Sequence, residues 1–214
     1  QQLVTKLRLG HYTRDQRAST IRLGGAALQP GGIGATLETI GPASVLTRAT
    51  QLKIQSMDTL YAQSDWSSSF AAWGLRHEVQ AGLDLAQERK HVRAALSAAQ
   101  GGVDLVKPNT LVGSPDDGAR INEDARRLRE ASAYESRGAG LYLQDLLELR
   151  PGWKLLLGLR YDRLVGDYDS FAIPANAAGP QSTTSYRMKV GELSKRAGLL
   201  YQPNERVSLH FAGA

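Results

Sequence analysis

The chain has 214 residues, 42% of them hydrophobic. It holds no apolar run near the ~20 residues a membrane helix needs, which excludes a helical span but not a strand barrel, where alternation hides the apolar residues. Without cysteine it has no disulfide framework and no thiolate metal site; its net charge of +5 favours anionic ligands or anionic lipid headgroups.

The chain opens on Gln1-Gln2-Leu3, without the basic start, apolar core and cleavage site of a signal peptide. Leu3–Thr13 alternates as a strand, and Arg14–Pro42 is glycine-rich and weakly patterned, hence loop. Within it Gly31-Gly32-Ile33-Gly34 lacks the following Lys-Ser/Thr of a phosphate cradle. Ser44–Ile54 and Asp58–Ala72 are the next two predicted strands. Trp73-Gly74 is a tight connection into the clearest pattern, Gly74–Glu88. There His77, Val79, Ala81, Leu83 and Leu85 share one parity, and Glu78, Gln80 and Asp84 the other. Successive strand residues point to opposite faces, so the first set is expected to meet lipid on the convex side and the second to line the concave side. Trp66, Phe70 and Trp73 cluster near this end, as in the aromatic girdle of a barrel or the core of a soluble protein.

Residues 89–136 form a long polar stretch broken by Pro108, Gly113, Pro115 and Gly118. A compact soluble domain rarely carries such a loop. Ile121–Ala133 inside it is a candidate short helix with Asn122 as cap. Gly138–Arg150, the turn Pro151-Gly152 and Trp153–Asp167 then read as a hairpin, because proline presets φ and glycine tolerates φ > 0. A second polar loop, 168–192, precedes a strand at Leu193–Gln202, a turn at Pro203-Asn204-Glu205 and a last strand from Arg206. The pattern ends inside that strand, so both ends read as cut. The expected architecture is all-β: an antiparallel up-and-down transmembrane β-barrel, present as a partial, open segment of about eight to ten strands. Short turns at one end and long loops at the other mark this class.

A lipid-facing charge is costly, so charges within strands are assigned to the lumen. A two-residue turn pairs Arg150 with Trp153 and places Asp145 opposite Gly158, with Arg160 a diagonal neighbour. Asp145 and Arg160 are therefore expected to share the lumen face as a structural pair. His11, His77, His91 and His210 show no i, i+4 metal spacing, and no nucleophile, base and orienting group are brought together. No catalytic residue, metal site or enzymatic activity is expected. No recognition motif or continuous basic stripe points to nucleic acid.

Three blocks stand in order: His77-Glu78-Val79-Gln80-Ala81-Gly82-Leu83-Asp84; then Tyr142-Leu143-Gln144-Asp145 with Trp153 and Gly158-Leu159-Arg160-Tyr161-Asp162; then Leu193–Pro203. In order and spacing they resemble the barrel of TonB-dependent siderophore receptors. Together they span residues 58–214, and the first third matches less well. The resemblance implies an outer-membrane barrel of about 22 strands with a plugged lumen. The chain then corresponds to an interior part of the barrel, with plug domain, first strands and carboxy-terminal strands outside it. It implies import of a ferric siderophore, driven by the inner-membrane TonB complex through the plug, in a barrel surrounded by outer-membrane lipid. Iron arrives inside its chelator, so no protein cofactor is expected. The tract Ser185–Val190 is similar to receptors for ferric catecholates and implies Tyr186 and Arg187 as ligand-binding candidates. Arg120, Arg126, Arg127 and Arg129, with Lys107 and Arg93, join them as cations of the longest loop, where Glu123, Asp124 and Glu130 are interleaved. A passive porin, a barrel receptor for haem or cobalamin, and a soluble carbohydrate-binding or structural β protein are the alternatives.

Overall fold

A computed structural model describes residues 1–116, 118 and 120–214. Seven strands form one antiparallel sheet in chain order: β1 (Gln2–Leu23), β2 (Val45–Ala72), β3 (Leu75–Ala95), then β5 (Leu128–Arg150), β6 (Trp153–Ala172), β7 (Ser182–Asn204) and β8 (Val207–Gly213). A two-residue strand, β4 (Thr110–Leu111), pairs with the start of β2. Each strand bonds to the next, so the sheet is an up-and-down meander with β1 and β8 at its open edges.

The connections alternate in length. Trp73-Gly74 joins Ala72 to Leu75 with both central residues at positive φ, 52° and 75°. That is the two-residue turn whose twist matches the flanking strands. Pro151-Gly152 joins Arg150 to Trp153 with Gly152 at φ 79°. Glu205-Arg206 joins Asn204 to Val207. These three turns lie at one end. The segments 24–44, 96–127 and 173–181 lie at the other.

The strands run 20 to 28 residues except for the two short ones. A barrel strand crosses a bilayer in about 9–11 residues. The surplus lies on the loop side and corrects several expectations. β1 continues to Leu23, through residues expected as loop, and the two predicted strands at 44–72 merge into β2. The loop expected over 89–136 shortens to 96–127, and that over 168–192 to 173–181. Above the membrane both faces of a strand are wet, so hydropathy stops alternating while the backbone ladder continues. Cross-strand pairs such as Arg89–Glu135 (3.5 Å) and Arg187–Asp167 (3.4 Å) hold it there. The expected helix over 121–133 is only a 3-10 turn, Glu123–Ala125, capped as predicted by Asn122, whose Oδ1 accepts from the Asp124 N–H at 3.1 Å. From Leu128 the chain is already β5, because pairing with β3 outweighs local helix propensity.

The register sorts side chains cleanly. Leu3, Trp66, Ala81, Leu143 and Leu159 are partners across five successive strands on one face. Lys6, Gln63, Asp84, Gly140, Asp162 and Glu192 are partners on the other. Val79, Ala81, Leu83 and Leu85 lie on the apolar face, with Glu78, Gln80 and Asp84 opposite, as expected. Among the described residues no second protein layer covers the apolar face. Leu7 is 68% exposed, Leu9 74%, Leu141 62% and Phe211 65%, and Ile54 and Val79 are the only buried apolar side chains among the described residues. A soluble β protein of this size cannot leave such a face to water; lipid is the cover it fits. Phe70, Trp73, Trp153 and Tyr201 gather at the turn end, Trp153 stacked on Tyr201 at 4.3 Å, as a girdle at headgroup level.

Leu83→Arg is expected to destabilise the full-length receptor in lipid vesicles by about 2–4 kcal/mol, the penalty of a midplane lipid-facing cation. Gln80→Arg, on the polar face, is expected to cost within about 0.5 kcal/mol. Denaturant titration of both in the same vesicles checks the assignment of faces.

Candidate functional site

The polar face carries a set of side chains that reach over a neighbouring strand to the next but one. In each case a glycine on the intervening strand leaves the slot. Tyr142 on β5 donates its Oη–H to Asp65 on β2 at 2.5 Å, passing over Gly82. Arg160 on β6 reaches Asp84 on β3 at 3.0 Å across Gly140 and chelates Asp162 through Nε and Nη2 at 2.7 and 2.6 Å. Arg196 on β7 donates to Gln144 on β5 over Gly158. A Cβ on Gly82 would stand 2.5 Å from the Tyr142 ring, one on Gly140 2.5 Å from Arg160 Nη2, and one on Gly158 2.9 Å from Arg196 Cγ. Within this set each guanidinium meets a carboxylate or an amide oxygen.

Asp145 stands outside this set, which corrects the expected pair. Arg150 does face Trp153, but Leu149 bulges at the register shift that follows. Asp145 therefore faces Leu157, and Gln144 faces Gly158. One inserted residue moves a side chain to the other face, so Asp145 shares the apolar face with Val79 while Arg160 sits on the polar one. Its partner is His77: Nδ1 to Oδ2 is 2.7 Å, and the imidazole is 5% exposed. Phe70 stacks on that ring at 5.2 Å, and Trp73 meets its edge at 5.9 Å. The signal in the sequence was that His77 and Asp145 are both polar residues on an apolar parity.

At the loop end the candidate arginines disperse. Arg126 chelates Glu123, at 2.5 and 3.2 Å, and donates to Thr50 Oγ1 at 3.1 Å. Arg129 donates to the Phe171 carbonyl at 2.7 Å. Arg127 donates to the Gly101 carbonyl at 2.7 Å, and Arg120 is exposed. Arg187 pairs with Asp167 on the parity of the apolar band, whereas its neighbour Tyr186 lies on the polar face. There Tyr186 faces Tyr168, which faces Tyr134, so three phenols stand in one row across β5, β6 and β7. The Tyr168 and Tyr186 rings are 6.2 Å apart. Sequence reasoning missed Tyr134 and Tyr168, because only the register sets them in line with Tyr186.

Loop 96–127 is tied down away from the strands it connects. Lys107 Nζ bonds the Ala18 carbonyl (3.0 Å), Ser19 Oγ (2.9 Å) and Glu123 (3.3 Å), and Arg17 bonds Asp124 at 2.7 Å. The Arg126 hydrogen bond, helped by Lys107 and opposed by burial, holds the Glu123 carboxyl below the ordinary glutamate range. A lowered native value means that the tether is complete above the ordinary range and is lost as pH falls through the depressed one. Glu123→Gln is expected to lower protection factors across 96–127 at neutral pH and to flatten their fall in acid, while β5 and β6 stay protected. Hydrogen–deuterium exchange from neutral to acidic pH checks it.

Comparison with known proteins fits this geometry. Among solved structures, the ferric-catecholate import receptor Fiu from Escherichia coli K12, in its closed form, superposes with a TM-score of 0.76 at 19% identity, over 98% of this chain and 29% of that one. The siderophore receptor PiuA of Acinetobacter baumannii gives 0.68 at 15% identity, over 98% and 29%. BauA, the ferric preacinetobactin receptor of the same organism, gives 0.59 at 13%, over 99% and 27%. The chain thus spans under a third of the length of the receptors it matches, and at these identities the likeness is one of fold. The family model described as TonB dependent receptor-like, beta-barrel, matches residues 2–214. With the alternating turns and loops, the uncovered apolar face and the polar wall, that match places the chain in the TonB-dependent receptor family, as part of its β-barrel.

Proposed function

We propose that this chain is barrel wall from an outer-membrane receptor that imports a ferric siderophore, with a ferric catecholate as the cargo. The observation that carries the reading is the row Tyr134–Tyr168–Tyr186 at the loop end of the polar face. Catechol rings are flat and electron-rich, and offset or edge contacts with tyrosine are worth about 0.5–1.5 kcal/mol per pair. The structural neighbours Fiu, PiuA and BauA support it, since each is a receptor for a siderophore or its ferric complex.

In this reading the chelate is captured at the loop end and passes along the polar face. The iron travels inside its chelator as cargo and takes no ligand from the barrel wall. Energy comes from the inner-membrane TonB complex acting through a plug domain in the lumen. The family is one of transport receptors, so the chain contributes a wall and a binding surface rather than a catalytic centre. Arg120 and Arg127 are the loop cations suited to attracting an anionic chelate. Arg126 and Arg129 hold the loop end together, and their removal would confound binding with folding.

The test is binding of a ferric triscatecholate to the full-length receptor carrying Tyr134→Ala, Tyr168→Ala and Tyr186→Ala together. Affinity is expected to fall roughly tenfold or more, from two or three lost ring contacts. A ferric trihydroxamate, which lacks aromatic rings, serves as comparison. Unchanged catecholate affinity in a triple variant that still resists heat in detergent overturns the assignment. Arg120→Ala with Arg127→Ala is expected to slow association at low salt and to have little effect above about 0.5 M salt, where screening removes long-range attraction.

A further inference from the structure

The apolar face is not uniform. Near its loop-side edge a groove of about 510 Å³ runs across β1 to β6. Its floor is made by Ala62 and Ala139, which stand on either side of Leu85 in the register. Leu7 and Leu60 wall its β1–β2 end. Arg137 and Arg163 close its β5–β6 end, Arg163 facing Ala139.

The position of these arginines says what they meet. They lie on the parity of Leu141, Leu143 and Leu159, so their side chains leave from the membrane face. A lipid-facing arginine costs about 2–4 kcal/mol at the midplane but roughly 0–1 near the interface. The groove therefore runs from hydrocarbon to headgroup level in the leaflet on the loop side. The charge there is in excess. Arg137 shares the Glu135 carboxylate with Arg89. Arg163 and Lys189 have no ion-pair partner among the described residues, and the cross-strand partners of Arg163 are Ala139 and Gly191. Lys189 faces Val165, beside Arg163, and adds a third cation to the same end.

We propose that this groove is a binding site for a phosphate-bearing lipid of the loop-side leaflet. One acyl chain lies over Ala62 and Ala139 between the leucines. The phosphate sits on Arg137 and Arg163, whose planar guanidinium groups match phosphate oxygens in pairs, with Lys189 beside them. A free anion does not use the apolar floor, and a neutral lipid does not use the cations. The site is separate from the polar face, so it stands whichever cargo the receptor carries.

The experiment uses the full-length receptor, stripped of lipid in dodecyl maltoside and titrated with diphosphorylated lipid A, with bound lipid counted by native mass spectrometry. Wild type is expected to retain one tightly bound molecule, to bind the dephosphorylated lipid at least tenfold more weakly, and to be unaffected by inorganic phosphate as competitor. Arg137→Gln with Arg163→Gln is expected to weaken retention roughly tenfold. Ala62→Leu with Ala139→Leu, which fills the floor and keeps the charges, is expected to weaken it as well. Lys195→Gln, on the same face outside the groove, leaves it unchanged. Each variant is compared only if it resists heat in detergent like the wild type. Equal retention in wild type and the arginine double variant overturns the site. An equal loss from Lys195→Gln shows diffuse attraction and overturns it too, and an unaffected leucine double variant removes the acyl-chain half of the proposal.

Discussion

Every other feature of this wall depends on the backbone hydrogen bonds. In hydrocarbon there is no water to take an unpaired N–H or C=O, so a membrane-crossing sheet must satisfy each group against a neighbour. The uninterrupted ladder from β1 to β8 does this, and it leaves the side chains free to be sorted by face alone. Its irregularities lie outside the apolar band: between Val92 and Arg93 toward the loops, and next to Glu148 and Tyr201 toward the turns. Pro203, which has no N–H to give, sits in the last of these.

The polar wall follows from the same ladder. Rows of side chains are about 5 Å apart between strands, too far for most polar groups to meet over a neighbour bearing its own side chain. Gly82, Gly140 and Gly158 remove that obstacle in three different rows. The resulting contacts cross from β5 to β2, β6 to β3 and β7 to β5, and they give Asp65, Asp84 and Asp162 each a partner.

How much of this was legible depends on what each residue faces. Where one face meets lipid, alternation is strong, and the strands around Gly74–Glu88 and Gly138–Asp167 were readable with their turns. Where both faces are wet the pattern vanishes, which is why Arg14–Leu23, Arg89–Ala95 and Leu128–Ser136 looked like loop. The Pro151-Gly152 turn was readable from its chemistry, but the bulge at Leu149 was not, and that residue decides the face of Asp145. The tyrosine row and the glycine slots were hidden for another reason. Each joins residues on different strands, and only the register brings them together.

The tethering of loop 96–127 has a consequence for how such receptors are varied. The loop springs from β3 and β5, yet its fastenings are on β1 and β2: Lys107 at Ala18 and Ser19, Arg126 at Thr50, Asp124 at Arg17, and β4 at Val45 and Leu46. A loop of this kind is not a module. Transplanted alone into another barrel, it would arrive without its landing ground and lose its shape. The heritable unit is the loop together with the loop-side end of a hairpin encoded roughly 65 to 107 residues earlier, so recombination that preserves this surface must carry both across.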